Sequence, residues 1–399
     1  KERHRDAILF FRMGDFYEMF FADAELAARE LGLTLTTRDK GREGSVPMAG
    51  VPHHAAEGYI AKLVRKGHRV AVCEQLGDPA KARGIVDRGI VEVITPGTAL
   101  SDALVPETAN NYVAAAHRIR DLVGFAAADI TTGEFLLEDL PIERFEQEVA
   151  RLSIAEWVVP EGEDLFALPA ESAPPLRRPG WWFEEERGRR ELQAHFRVQS
   201  LKGLDAEDLG PATGAGGALL DYLREVRGPE LRHVARMKRL GARDFMVLDA
   251  TTRRNLELTA SLLGGEERAL TLLGAIDRTV TSLGARRLRA WLERALTQRA
   301  RIEERLDAVE ELVHRAEEAE SLGAVLREFR DLERLLGKAA CGKATPRDLR
   351  ALGEGALATP RLRECIGPFR AKLLSGFAEG APDLSALGRR IEEALAEEP

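Results

Sequence analysis

Apolar and polar positions fall into three textures along the chain. Over residues 1–105, short apolar runs alternate with glycine and proline. Residues 8–13 predict a strand, and residues 16–31 predict a helix with Phe20, Ala24, Ala27 and Leu31 on one face. A short helix over 59–65 and strands over 68–73 and 90–94 follow, the last ended by Thr95-Pro96-Gly97. A second α/β stretch runs from about 110 to 240. Apolar runs at 112–116 and 122–128 bracket polar residues 117–121, which predicts a hairpin. Residues 134–137 predict another strand, 142–152 a helix and 156–159 a buried strand, while the prolines of 162–180 predict a loop. After about Thr251 the strand pattern ends. Ile302, Leu306, Val309 and Val313 recur at helical steps, as do Leu322, Val325, Phe329, Leu332 and Leu336. Pro346 and Pro360 mark helix starts or breaks.

A chain of 399 residues exceeds one core, so two or three domains are expected. Hydrophobic residues at 44% and charged residues at 31% describe a globular chain, with no apolar run near the roughly 18 residues of a membrane span. No signal-peptide layout is present near Lys1, so a cytoplasmic protein is expected, with a trimmed start. Cys73, Cys341 and Cys365 lie far apart, which gives neither a disulfide framework nor zinc-ligand spacing. The net charge of -8 argues against a small basic DNA-binding module, but not against a large protein gripping DNA through one local patch.

The most informative stretch is Phe10-Phe11-Arg12-Met13-Gly14-Asp15-Phe16-Tyr17-Glu18-Met19-Phe20. Local chemistry places a strand end at Gly14-Asp15 and a helix start after it. Asp15 suits an N-cap, Glu18 suits its capping-box partner three residues on, and Phe16 suits a core or staple position. On helix logic alone, Phe16 and Glu18 are structural.

Gly14-Asp15-Phe16-Tyr17-Glu18 also resembles the Phe-x-Glu signature of the mismatch-binding domain of the MutS family of DNA mismatch-repair proteins. The resemblance continues in order through Val46-Pro47-Met48-Ala49-Gly50-Val51-Pro52-His53-His54-Ala55, Val72-Cys73-Glu74-Gln75-Leu76-Gly77-Asp78-Pro79 and Thr95-Pro96-Gly97-Thr98. Downstream, Leu248-Asp249-Ala250-Thr251-Thr252-Arg253-Arg254-Asn255-Leu256-Glu257, then Gly284, Arg286 and Trp291, Asp331-Leu332-Glu333-Arg334 and Pro346-Arg347-Asp348-Leu349 are similar to the family's helical core. Residues 140–235 are the least distinctive.

The resemblance implies three domains: an α/β mismatch-binding domain over 1–106, an RNase H-like α/β connector over 107–240, and an all-α core or lever domain over 241–399, stopping before the clamp. It implies that Phe16 wedges into mispaired or looped duplex DNA from the minor groove while Glu18 contacts a base, so that the duplex kinks. A mispair has already lost part of the stacking that a correct pair must give up, so deformability discriminates. Glu18 among phosphates weakens binding to undistorted duplex, and the phosphate charge favours its protonated, donating form. Met13, Asp15 and Met48 are implied neighbours of the wedge, and Arg38 and Arg83 implied phosphate contacts; core packing and solvated surface are their plain alternatives. ATP and magnesium are expected only for the family's ATPase domain, so this piece is expected to bind without hydrolysis. A homodimer and a MutL-type factor are the partners expected of the full-length protein, in a bacterial, nucleoid-associated setting.

Rival readings are a paralogue acting as a structural DNA-junction clamp and an RNase H-like nuclease with Asp129 as a candidate acid. Gly337 to Lys343 spells the opening of a phosphate-binding loop, but Ala344 replaces the magnesium-binding hydroxyl and a helical pattern, not a strand, precedes it. His53-His54 has no accompanying ligand set and is expected to be a loop pair.

Overall fold

The computed structural model describes residues 1, 4, 6–38, 46–76, 88–101, 104–162, 174–228, 230–241, 245–262 and 270–396. Along the chain come β1 (Ala7–Met13), β2 (Phe16–Phe20), α1 (Phe21–Leu31), β3 (Thr36–Arg38), β4 (Val46–Pro52), α2 (Ala56–Arg65), β5 (Arg69–Gln75) and β6 (Arg88–Ile94). Next are β7 (Tyr112–Ile119), β8 (Leu122–Asp129), β9 (Glu134–Pro141), α3 (Ile142–Val149), β10 (Ile154–Pro160), β11 (Leu176–Arg178), α4 (Glu185–Phe196), α5 (Pro211–Arg227) and β12 (Arg236–Arg239). Then follow α6 (Ala250–Asn255), α7 (Leu272–Ile276), α8 (Ser282–Glu293), α9 (Arg299–His314) and α10 (Ala316–Leu326). The last are α11 (Leu332–Ala340), α12 (Pro346–Leu357), α13 (Thr359–Ile366), α14 (Lys372–Gly380) and α15 (Ser385–Ala394).

These elements form two compact units, one of Lys1–Pro106, Asn111–Asp129 and Ile154–Leu231, the other of Glu107–Asn110, Ile130–Ser153 and Arg232–Pro399. In the first unit one sheet has the order β3-β4-β2-β1-β5-β6. Only the β1–β5 pair in it is parallel. Ile8, Phe10, Tyr17, Met19, Ala49, Val51, Val70 and Val72 form one buried core with Ala24 and Ala27 of α1 and Ile60, Leu63 and Val64 of α2. The same unit holds β11, β10, β7 and β8 side by side in that order.

Helix α5 is buried along nearly its whole length, and its N-terminal backbone presses so closely on β8 that a Cβ at Gly124 would lie 2.2 Å from the Pro211 carbonyl carbon. A polar network ties the two sheets of this unit together. Tyr222 on α5 donates to the buried Glu156 on β10, whose carboxylate also accepts from Gly97 N at 3.2 Å. Arg69 on β5 donates to Tyr222 at 3.1 Å and pairs with Asp6. Burying these groups without such partners would cost several kcal/mol.

In the second unit β9 and β12 pair in parallel, and the other regular elements among the described residues are helices, apart from an isolated bridge between Phe245 and Leu296. Ala308, Leu322, Ile366, Phe369 and Leu374 form a helical core there. Thr345 and Asp348 make a reciprocal capping box at the start of α12.

Three expectations differ: the loop expected over 162–180 contains β11, the helical run from Leu322 to Leu336 is broken between α10 and α11, and the stretch after Gly14-Asp15 is not helical at first. Residues 16–20 are a strand, not the first turns of a helix, and α1 begins only at Phe21. Tyr17 and Met19 point into the core while Phe16, Glu18 and Phe20 face the other way, the two-residue period of a pleated strand. Asp15 is therefore not an N-cap and Glu18 caps nothing. Gly14 and Asp15 form the two-residue turn of a hairpin, and Gly14 takes a φ of 60°.

The Gly337 to Lys343 stretch has no strand–loop–helix frame. Gly337 lies inside α11, where a Cβ would come within 2.7 Å of Thr131 O; Gly342 takes a φ of 66° just beyond the helix end. Both glycines thus have local structural causes.

Candidate nucleic-acid interface

The candidate site grows from the tip of the β1–β2 hairpin. Phe16 is the first residue after the turn and is 48% exposed, a large apolar side chain held in solvent. In register it pairs with Met13 on β1 and Pro52 on β4. Residues directly opposite in a sheet share a face, so Met13 and Pro52 flank the Phe16 ring. Glu18, two residues along the same face, is half-buried and pairs with Phe11 and Gly50. Phe20 follows, opposite Met48.

This outer face is aromatic and thioether-rich. The Phe11 and Phe20 rings meet edge-on at 6.5 Å. Arg88 of β6 lays its guanidinium over the Phe11 ring at 5.2 Å and donates from Nε to Arg12 O at 3.1 Å. Phe11 thus carries the Arg88 cation over its ring and faces Glu18 in register across the hairpin. Arg88 was not marked out by sequence; it follows a stretch without periodicity, and only the β5–β6 pairing brings it here.

Behind this face the hairpin is fastened. Asp15 O accepts from His53 N at 2.8 Å, tying the turn to the end of β4. Tyr17 points inward, between the Phe10 ring at 6.0 Å and the His53 ring at 5.6 Å. Its hydroxyl donates to Glu74 on β5, and the Arg12 guanidinium lies over its ring at 5.5 Å. Burial, with the Glu74 carboxylate beside it, pushes the Tyr17 hydroxyl up to about 12.

The structure brings Met13, Asp15, Phe16, Glu18 and Met48 to one hairpin and its neighbouring strand. Arg38 lies on β3, paired in register with Val46. Arg83 and the Gly77-Asp78-Pro79 end of the third signature lie outside the described residues.

Of the features weighed against DNA binding, Asp129 is fully buried and accepts from Asn111 N at 3.1 Å. Glu138 accepts from Arg239 at 2.6 Å and from Gly241 N at 3.0 Å. With Glu156 engaged as described, these acids serve the fold. No group of three His, Cys, Asp or Glu side chains is placed to hold a metal among the described residues, and no helix among them is long and apolar enough to cross a membrane.

The sequence matches the family models for MutS domain I over residues 1–103, MutS domain II over 111–235 and MutS domain III over 251–399. It is similar to the DNA mismatch repair protein MutS of Symbiobacterium thermophilum, with 45% identity over 412 residues. It is also similar to those of Halothermothrix orenii, with 38% identity over 405 residues, and an Anaeromyxobacter species, with 42% over 406. Each alignment takes in the whole of this chain, which spans 47%, 45% and 45% of those relatives, about half their length.

Proposed function

Because the chain belongs to the MutS family, with domains I, II and III in that order, we propose that it recognises mispaired or looped duplex DNA through the face around Phe16 and Glu18. One observation carries this reading: an aromatic ring stands exposed at a hairpin tip with a carboxylate two residues behind it on the same face. A solvent-held phenylalanine gains by stacking on a base, and a hairpin edge suits a groove. Entry unstacks one step and kinks the duplex, which costs a few kcal/mol for a paired step and less for a mispaired one.

Glu18 adds selectivity in both directions. Its charge opposes close approach of regular duplex, and its carboxyl can hydrogen-bond the edge of a displaced base. Met13 supplies adaptable apolar surface beside the ring, and Met48 does so opposite Phe20, further along the same face. Arg88, with Arg38 and Arg83, supplies cations for the backbone, contacts that position the protein without reading sequence.

Residues 107–240 serve as an RNase H-like connector and 241–399 as a helical lever. In the full-length protein we expect a homodimer, a MutL-type partner, and an ATPase domain that holds ATP and magnesium. A junction-clamp role would not need the Phe16–Glu18 pair. A nuclease would need open carboxylates, whereas Asp129, Glu138 and Glu156 are buried and engaged.

The test is a bending measurement on end-labelled duplexes with and without one mispair. The mispaired duplex alone should shorten its end-to-end distance on binding. Equal bending of both favours the junction clamp, and strand scission with a divalent metal favours the nuclease.

A further inference from the structure

A wedge works only if the duplex yields before the wedge does. Kinking DNA at one step costs a few kcal/mol, and a hairpin tip is an element that frays readily. Phe16 sits at such a tip, one residue after a two-residue turn, with its ring in solvent. Something must brace it.

The bracing contacts converge on the next residue. Tyr17 is 6% exposed and lies on the opposite face from the wedge. Its ring is enclosed by Phe10, His53 and Arg12. Its hydroxyl reaches across β1 to Glu74 on β5, so one side chain links the second strand of the hairpin to a strand beyond its neighbour. The core alone does not require this contact. A phenylalanine would fill the same space, and Glu74 lies at the half-buried end of β5, where water could solvate it.

We infer that Tyr17 is a positioning residue for the wedge, fixing the lean of Phe16 and Glu18 through its hydroxyl's hydrogen bond to Glu74. This rests on the proposed mispair-reading role of the Phe16–Glu18 face. It also gives a physical reason for the first and third signatures to occur together: the tyrosine of one donates to the glutamate of the other.

Tyr17→Phe keeps the ring and removes only the hydroxyl. In the 399-residue chain, affinity for matched duplex and the melting temperature should stay close to the original. Affinity for a mispaired duplex should fall about tenfold, the scale of one hydrogen bond to a charged acceptor. Glu74→Leu should do the same, and Glu74→Gln, which keeps an acceptor, should restore most of the preference. In a Phe16→Ala background, Tyr17→Phe should remove nothing further, since no wedge remains to position.

A purely structural Tyr17 would lower the melting temperature and leave the ratio of the two affinities unchanged, which overturns the inference. If Phe16→Ala abolishes the preference while Tyr17→Phe and Glu74→Leu keep it, the positioning role alone fails. If Phe16→Ala keeps the preference, the mispair-reading role fails, and the positioning role with it.

Discussion

Glu18 lies directly across from Gly50 in the antiparallel register of β2 and β4, so no side chain on β4 faces the carboxylate. A Cβ built at Gly50 would sit 3.7 Å from Glu18 Cγ and 4.0 Å from Phe16 Cδ1, and 3.4 Å from Tyr17 O, ordinary contact distances. The glycine keeps open the space between wedge and carboxylate. Gly50→Ala should therefore leave stability and mispair preference nearly unchanged. Gly50→Leu would extend over both residues, so mispair affinity should fall while the melting temperature holds. Full mispair binding by Gly50→Leu would mean that DNA does not enter this space.

A second prediction follows from the buried hydroxyl of Tyr17. Its folded-state pKa is raised to about 12 by burial and by Glu74, against an ordinary value of about 10. The unfolded chain loses this proton first, so raising the pH from about 10 to about 12 destabilises the fold, while below about pH 10 the shift leaves stability unchanged. Near-ultraviolet tyrosinate absorbance checks it by difference. The increment present in the original chain and missing from Tyr17→Phe should have its midpoint near 12. A midpoint near the ordinary value would place Tyr17 in water.

The stretch from Gly337 to Lys343 gives a third. If its glycines serve helix packing and termination, Gly337→Ala must push against Thr131 O and should cost about 1–3 kcal/mol. Lys343 is exposed, and Lys343→Ala should leave both stability and DNA binding unchanged. Thermal melts of the two variants separate these outcomes. Saturable ATP binding that Lys343→Ala abolishes would contradict the structural assignment.

Where sequence and structure agree, the apolar period was clean. Residues 8–13 fall within β1 and 90–94 within β6; the hairpin of β7 and β8 follows the two alanine-rich runs that bracket polar residues 117–121. Residues 142–149 of the predicted 142–152 helix form α3. The misread stretch is the one that carries the candidate site. Phe16 and Phe20 face solvent although both are apolar, so the two-residue alternation of β2 is masked. The same residues join Ala24, Ala27 and Leu31 at helical spacing, and Asp15 with Glu18 imitates a capping box. The exposed Phe16 makes this strand violate the pattern of a half-buried one, a local conflict of the kind that the proposed role would explain.

Helix α5 was hidden for a different reason. Its Gly214, Gly216 and Gly217 count against a helix by propensity, yet close packing needs two of them: a Cβ at Gly214 would meet Phe183 O at 2.0 Å, and one at Gly217 would meet Gly188 Cα at 2.5 Å. Arg88 reaches the candidate interface only through strand pairing, which local patterns do not encode. The Phe-x-Glu pair was legible through its resemblance to a known signature, whereas its geometry came from the hairpin.

The claim that the Phe16–Glu18 face discriminates mispairs is tested most directly by one ratio: the Kd for matched duplex over that for mispaired duplex, at one fixed salt concentration. Phe16→Ala should collapse this ratio, with a loss of roughly 1–3 kcal/mol in mispair binding and little change in folding, because the ring is exposed. Glu18→Ala should shrink it from the other side by tightening binding to matched duplex, and Glu18→Gln should strengthen binding to both duplexes. Phe16→Ala and Glu18→Ala variants that keep the original ratio, with Phe16→Ala instead lowering the melting temperature, would contradict the account and make the pair part of the fold alone.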